Sequence, residues 1–302
     1  MRNPVALALI ALLASGCMVG PDYVRPPADA PTAWRLDEKE VRDLANTAWW
    51  EQFGDPALND LVIVALRENK DLLIASARVD EFAGRYGFTR AQLFPQAGFG
   101  ADARRQRDIG AVVIGAGNST IFDTYSTVLN ASWEIDLWGR IRRETEAARA
   151  QLMASDEARR GVVLSLVGSV AGAYINLRNL DRQLEIARAT AKSRGESYDL
   201  FKLRFAGGVI SLLELSQNKS QYEEALATIP PLEKAIAQQE NGLSVLLGRN
   251  PGPIARGKEI DQLTLPVIPA GLPSDLLERR PDIRRAEQDL IAANALIGAA
   301  RA

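Results

Sequence analysis

Residues 161–206, GVVLSLVGSVAGAYINLRNLDRQLEIARATAKSRGESYDLFKLRFA, place apolar side chains on a seven-residue beat. Val163, Val170, Leu177, Leu184, Ala191, Tyr198 and Phe205 form one column, partly doubled by Val167, Tyr174, Leu180, Ala187 and Phe201. An apolar period of about 3.5 residues predicts helices packed as a left-handed coiled coil. The beat resumes at Leu215, Tyr222, Ile229, Ile236 and Leu243, with Ala225, Leu232 and Leu246 beside it, so a second helix returns along the first. The whole hairpin runs from Gly139 to Gly248. At about 1.5 Å per residue its first helix is on the order of 100 Å long, which makes it a strut and not a globular core.

The break between the two helices has its own chemistry. Gly207 and Gly208 can adopt the left-handed conformation that ends a helix. Ser211 with Glu214 three residues later makes a capping box, and Ile210 with Leu215 a hydrophobic staple. The turn must therefore be tight.

Composition limits what this chain can do. Its 302 residues carry a net charge of -2, no histidine and one cysteine. That excludes disulfides within the chain, most zinc sites and any histidine-dependent catalytic dyad or triad. The acidic residues are scattered along helical faces, and no cofactor motif or polyanion-binding surface stands out. An enzyme is not expected.

Arg2, an apolar run from Val5 to Leu13, then Ala14-Ser15-Gly16-Cys17 predict a lipoprotein signal over 1–16, with Cys17 as the lipid attachment residue. Ala14 stands where leucine is commoner. Pro21 to Thr47, rich in proline and alanine, is expected to run as an extended strap. Asp55-Pro56 caps a helix reaching about Asn69, and another runs from Asp71 toward Leu93, stopped by Pro95.

The period then changes to two. Ala97, Phe99, Ala101 and Ala103 alternate with Gly98, Gly100, Asp102 and Arg104. Asp108 to Asp123 is expected to be a loop. From Thr124 to Leu137 one face carries Tyr125, Leu129, Trp133 and Ile135, expected to face lipid. The other carries Asn130, Ser132, Glu134 and Asp136, expected to face a water-filled lumen. Alternation alone fits a half-buried soluble strand equally well. Two strands cannot close a barrel, and open edges are not tolerated in lipid, so insertion requires several copies.

Pro230-Pro231 should kink or break the returning helix, 249–271 reads as a linker, and 272–302 is helical again. Adding 211 to a residue number maps Leu66 onto Leu277, Asp71 onto Asp282, Ala75 onto Ala286, Gly87 onto Gly298 and Arg90 onto Arg301. This register favours an internal duplication whose second copy stops early, and a full version is expected to continue for roughly another 170 residues.

Several motifs resemble the outer-membrane factors of tripartite efflux systems, the lipoprotein branch of the TolC-like, OprM/NodT-type family. They are Gly16-Cys17, Pro21-Asp22-Tyr23, Trp49-Trp50, Asp55-Pro56, Leu93-Phe94-Pro95, Trp133 to Arg140, Phe205 to Leu215, Leu246-Leu247-Gly248, and Gly271 to Leu277 with Arg279 to Asp282. The resemblance implies a mainly α fold with a small β part, assembled as a homotrimer. Segment 17–55 would be a strap of the equatorial region, 56–94 periplasmic helices, 95–138 an outer-membrane hairpin with an extracellular loop, and 139–248 a periplasmic coiled coil. The tip near 205–215, with Phe205, Gly207, Gly208, Val209, Ser211 and Glu214, would meet a periplasmic membrane-fusion adaptor coupled to an inner-membrane transporter. The implied function is a passive export duct in the outer membrane, with no cofactor and no nucleic-acid partner. A lipid-anchored periplasmic spacer or adaptor, or the outer-membrane component of a heavy-metal or secretion system, are the alternatives.

Overall fold

The computed structural model describes residues 18–27, 48–109, 119–266 and 278–302. Cys17 with the signal segment, the strap beyond residue 27, the centre of the expected loop and residues 267–277, which end the expected linker and begin the expected last helix, lie outside these. Among the described residues the order is α1 (Pro56–Glu68), α2 (Lys70–Ala91), β1 (Gln96–Ile109), β2 (Ser119–Ser132), α3 (Arg140–Ala206), α4 (Leu212–Ala227), α5 (Ile229–Leu246) and α6 (Pro281–Arg301). The fold is mainly helical, with one antiparallel two-stranded ribbon. Adding 211 to Lys70, where α2 starts, gives Pro281, where α6 starts.

The chain forms two compact units, Met1–Pro27 with Asp80–Ala154 and Ala286–Ala302, and Ala28–Val79 with Ser155–Arg285. Helices α2, α3 and α6 each contribute to both.

In the second unit, α1 buries Leu58, Leu61, Val62 and Ala65 against Val167, Val170, Tyr174 and Leu177 of α3 and Leu243 of α5. These are seam positions of the seven-residue beat. Cross-helix pairs follow the predicted hairpin: the Gln239 amide donates to the Ala173 carbonyl at 2.9 Å, Arg188 pairs with Glu233 at 2.7 Å, and Tyr198 stacks on Tyr222. Partner numbers rise on α3 as they fall on the returning helices, as an antiparallel hairpin requires. Gly195 makes room for this stack, because a Cβ there would lie 3.1 Å from the Tyr222 ring. The predicted interruption of the returning helix falls at Thr228, between α4 and α5. Pro230 and Pro231 have no N–H to give the carbonyls four residues back.

A buried carboxylate joins the base of this hairpin to the linker. Asp55 caps α1 by accepting from the Ala57 N–H at 2.9 Å, and its other oxygen accepts from the Tyr174 hydroxyl at 2.7 Å and the Lys258 N–H at 3.0 Å. The Tyr174 oxygen in turn accepts from the Gly257 N–H at 2.9 Å. Asp55 and Tyr174 are both fully buried. A Cβ on Gly257 would come within 1.9 Å of the Asp55 carboxylate, so the linker can approach only through glycine. Outside this knot, Arg256 links Asp181 of α3 to Glu240 of α5, and Arg178 donates to the Lys258 carbonyl at 2.8 Å. Over its described residues, 249–266, the linker is irregular apart from a short turn at Ile260–Gln262.

The first unit has a smaller core of alanines. Ala147 and Ala150 of α3 meet Ala292 and Ala295 of α6, with Ile291 beside them. Residues 18–27 are tied to both helices. Arg143 is almost wholly buried and donates to the carbonyls of Val19 and Gly20 and to Asp22. Gly20 lies directly against Gly298, where a Cβ would sit 2.4 Å from the opposing Cα. Arg25 pairs with Glu287, and Asn294 donates to the Pro21 carbonyl.

Replacing Tyr174 with Phe should leave the Gly257 N–H and one Asp55 oxygen short of a partner, costing about 1–3 kcal/mol. Burial, and then the hydrogen bond to Asp55, push the Tyr174 phenol from its ordinary 10.0 up to about 12. Its stabilising contribution is therefore complete below pH 10 and is lost as pH rises from 10 toward 12. Thermal unfolding of the detergent-solubilised protein across that window should show the loss in the parent chain and not in Tyr174→Phe.

Candidate functional site

Two regions expose what a soluble protein ordinarily buries: the ribbon with its base, and the hairpin tip.

The ribbon is in continuous register from Gln96↔Ser132 to Ile109↔Ser119. Because side chains alternate across a strand, each pair belongs to one face. Ala97↔Ala131, Phe99↔Leu129, Ala101↔Thr127 and Ala103↔Tyr125 make the apolar face. Gly98↔Asn130, Gly100↔Val128, Asp102↔Ser126 and Arg104↔Thr124 make the other. Phe99, Tyr125 and Leu129 are each more than two-thirds exposed. No layer covers the apolar face among the described residues, and the outer edges of both strands are unpaired. Such a ribbon is marginal in water by itself.

Pairing corrects the expected loop, which was placed from Asp108 to Asp123. Both strands continue to the Ile109↔Ser119 pair, and Asp123 sits inside β2 opposite Arg105. The stretch is rich in turn-forming residues, but ladder hydrogen bonds override composition there.

A second correction concerns the far end of β2. Asn130 and Ser132 lie on the polar face as expected, but β2 ends at Ser132, so Trp133, Glu134, Ile135 and Asp136 are not strand residues. Glu134 takes a two-pronged ion pair from Arg140. The Asp136 carboxylate accepts from the backbone N–H groups of Ile141 and Arg142 at 3.2 and 2.9 Å, and from the Arg142 guanidinium. It caps the first turn of α3, where unpaired N–H groups and the helix dipole favour an anion. Gly139 makes the approach possible: its φ is +85°, and a Cβ would strike Met18. Burial by itself would raise the Asp136 carboxyl, but these N–H donors and Arg142 outweigh it and hold it below the ordinary range.

The apolar residues here form a belt. Trp133, Ile135, Leu137, Trp138 and Phe94 are each more than half exposed at the base of the ribbon. The Trp133 indole donates to the Leu93 carbonyl at 3.2 Å, which fixes its ring. Of the four residues expected to face lipid, Tyr125 and Leu129 lie on the apolar strand face, and Trp133 and Ile135 lie in this belt.

At the tip, the expected residues fall within one turn. Val209 N–H donates to the Arg204 carbonyl and Gly208 N–H to the Phe205 carbonyl, the paired bonds of a Schellman ending, with Gly208 at φ +71°. Ser211 N–H donates to Glu214 at 2.7 Å, and Glu214 N–H to the Ser211 hydroxyl at 3.3 Å. These bonds from Ser211, backbone first, hold the Glu214 carboxyl below its ordinary range. Phe205 is 40% exposed and Val209 76%. Leu203, Leu212 and Leu213 extend the same patch, each more than 60% exposed. The sequence reading passed over these three; the available signal was that they are large apolar residues lying off both seam columns.

An amphipathic ribbon with an aromatic belt, leading into a very long capped helix, is the architecture of an outer-membrane efflux component. Residues 61–249 match the family model for outer membrane efflux proteins, and the chain belongs to that family. It is 38% identical over 309 residues to the toluene efflux pump outer membrane protein TtgC of Pseudomonas putida, covering 100% of this chain and 64% of that protein. It is 34% identical over 298 residues to the cation efflux system protein CusC of Escherichia coli, covering 97% and 64%. The open state of the MtrE outer membrane channel of Neisseria gonorrhoeae superposes with a TM-score of 0.78 at 31% identity, over 94% of this chain and 63% of that one. The chain thus spans a little under two thirds of the length of these relatives.

Asp136→Ala should cost about 1–2 kcal/mol by uncapping α3. Because the Asp136 carboxyl is held below its ordinary 3.8, its contribution is present above that value and is lost as pH falls through the lowered one. Unfolding measured on the acid side should show that component in the parent chain and not in Asp136→Ala.

Proposed function

We propose that this chain forms part of a passive export duct across the bacterial outer membrane. It assembles as a homotrimer whose copies pool their ribbons into one closed barrel. The observation that carries this reading is the ribbon itself. It is long, in unbroken register, apolar on one face and polar on the other, and among the described residues both its edges are open and neither face is covered. In lipid every backbone polar group needs a partner, so these edges must pair with further strands, at least some of them from other copies. The apolar face then meets lipid, and the face with Asn130 and Ser132 lines water. The chain has no chemistry to contribute: substrate passes through, and selectivity belongs to the partners that load it.

Those partners are a periplasmic membrane-fusion adaptor and an inner-membrane transporter. The exposed tip from Phe205 to Glu214 is the surface offered to the adaptor. Small organic molecules are the expected cargo, in keeping with the toluene efflux relative. A lipid on Cys17 would anchor the strap to the same membrane.

Protein extracted from outer membranes should migrate as a heat-modifiable trimer and give stepwise conductance in planar bilayers. A water-soluble monomer after Cys17→Ala would instead identify a lipid-tethered spacer. For the tip, Gly208→Asp should leave the trimer intact and abolish cross-linking to the adaptor. No atom lies within 4 Å of a Cβ built at Gly208, so the fold bears only the positive-φ strain, about 1–2 kcal/mol. Unchanged adaptor cross-linking in that variant would remove the tip assignment.

A further inference from the structure

The polar face of the ribbon carries unpaired charge. From Gln96 to Gln106 on β1 and from Thr124 to Ser132 on β2, its register positions hold two charged side chains, Asp102 and Arg104. Both residues are exposed, and among the described residues neither side chain has an ion-pair or hydrogen-bond partner. Their register partners, Ser126 and Thr124, are neutral. On the apolar face, by contrast, Arg105 is tied to Asp123 across the strands at 3.4 Å. Charge on a surface that meets lipid needs a compensating partner, whereas charge that meets water does not.

The acidic residues expected in the lumen are spent elsewhere. Glu134 is held by Arg140, and Asp136 caps α3. Gly98 and Gly100 add no side chain to the polar face of β1. Asp102 and Arg104 are therefore the first charges met on this face in going from the aromatic belt toward the far end of the ribbon. They stand two residues apart on one strand, about 7 Å along it and about 5 Å along the axis of a barrel whose strands tilt near 40°. That spacing is shorter than the Debye length of about 8 Å at physiological salt, so opposite charges at these two levels largely cancel for a passing ion.

We infer that Asp102 and Arg104 balance the charge of the duct's interior. Pooled in a barrel, the copies present a ring of carboxylates and, one step along, a ring of guanidinium groups, and solutes of either sign pass. The pair determines specificity by cancellation: with one member gone, the other ring acts alone and favours ions of the opposite sign. Selection of cargo by charge is thereby left to the partners that load the duct. This inference rests on the proposed reading that the ribbon lies in a barrel with this face toward water.

The test uses the full chain in planar bilayers, with the zero-current potential read across a potassium chloride gradient. The parent should show little preference between the two ions. Asp102→Asn should shift the permeability ratio roughly threefold toward chloride, and Arg104→Gln roughly threefold toward potassium. The double variant should return to the parent's ratio. Asp102→Glu and Arg104→Lys, which keep the charges, and Arg105→Gln, on the apolar face, should leave it unchanged. Conductance with one ratio in the parent and both single variants would overturn the inference while the duct stands. A parent strongly selective for one ion, or an equal shift in Arg105→Gln, would do the same. No conductance from the parent would overturn the duct reading and this inference together.

Discussion

The fold of the second unit depends on one buried carboxylate. Asp55 is fully buried and retains its hydrogen bonds only because three distant pieces of chain converge on it: the start of α1, the Tyr174 hydroxyl on α3, and the linker backbone at Lys258. A carboxylate in such surroundings is costly unless its oxygens are satisfied, and breaking one contact leaves the rest buried and short of partners. The same knot sets the register of everything around it. The packing of α1 on the seam at Val170, Tyr174 and Leu177 fixes where the hairpin begins, and Gly257 fixes how closely the linker can pass.

The parts of this architecture legible in the sequence are those governed by local periodicity and local capping. The seven-residue columns place Val170 and Leu177 in the core and Leu215 and Tyr222 on the returning seam because helical period depends only on spacing. The Ser211–Glu214 box and the Gly208 ending are readable because each partner lies within a few residues of the other. Two boundaries were not readable for the same reason. Trp133 to Leu137 continues the apolar–polar alternation of β2, yet pairing has stopped at Ser132, and alternation cannot report where ladder hydrogen bonds end. Asp136 looks like one more polar strand residue until α3 folds back its N–H groups onto it. Contacts such as Tyr174 with Asp55, 119 residues apart, have no local signature.

Burial along the hairpin is graded. Near its base the seam is sealed by α1 and the linker. Farther along, Tyr198, Phe201 and Tyr222 are only half buried, and at the turn Leu203, Val209, Leu212 and Leu213 stand open. Two helices alone cannot cover a stripe wider than their shared seam. The gradient therefore separates a self-sufficient base from an outer portion whose apolar surface awaits neighbours, and the ribbon repeats this logic in β structure.

The joint between α4 and α5 gives the hairpin an uneven mechanical character. On one side α3 runs through the region as a single hydrogen-bonded rod; on the other, Pro230 and Pro231 remove two rungs beside Thr228. Compression along the axis is carried by the unbroken helix, whereas a sideways load on the outer portion meets one stiff member and one articulated member. Bending is then easier in one direction than in the other, and the compliance is concentrated at a defined level well short of the turn.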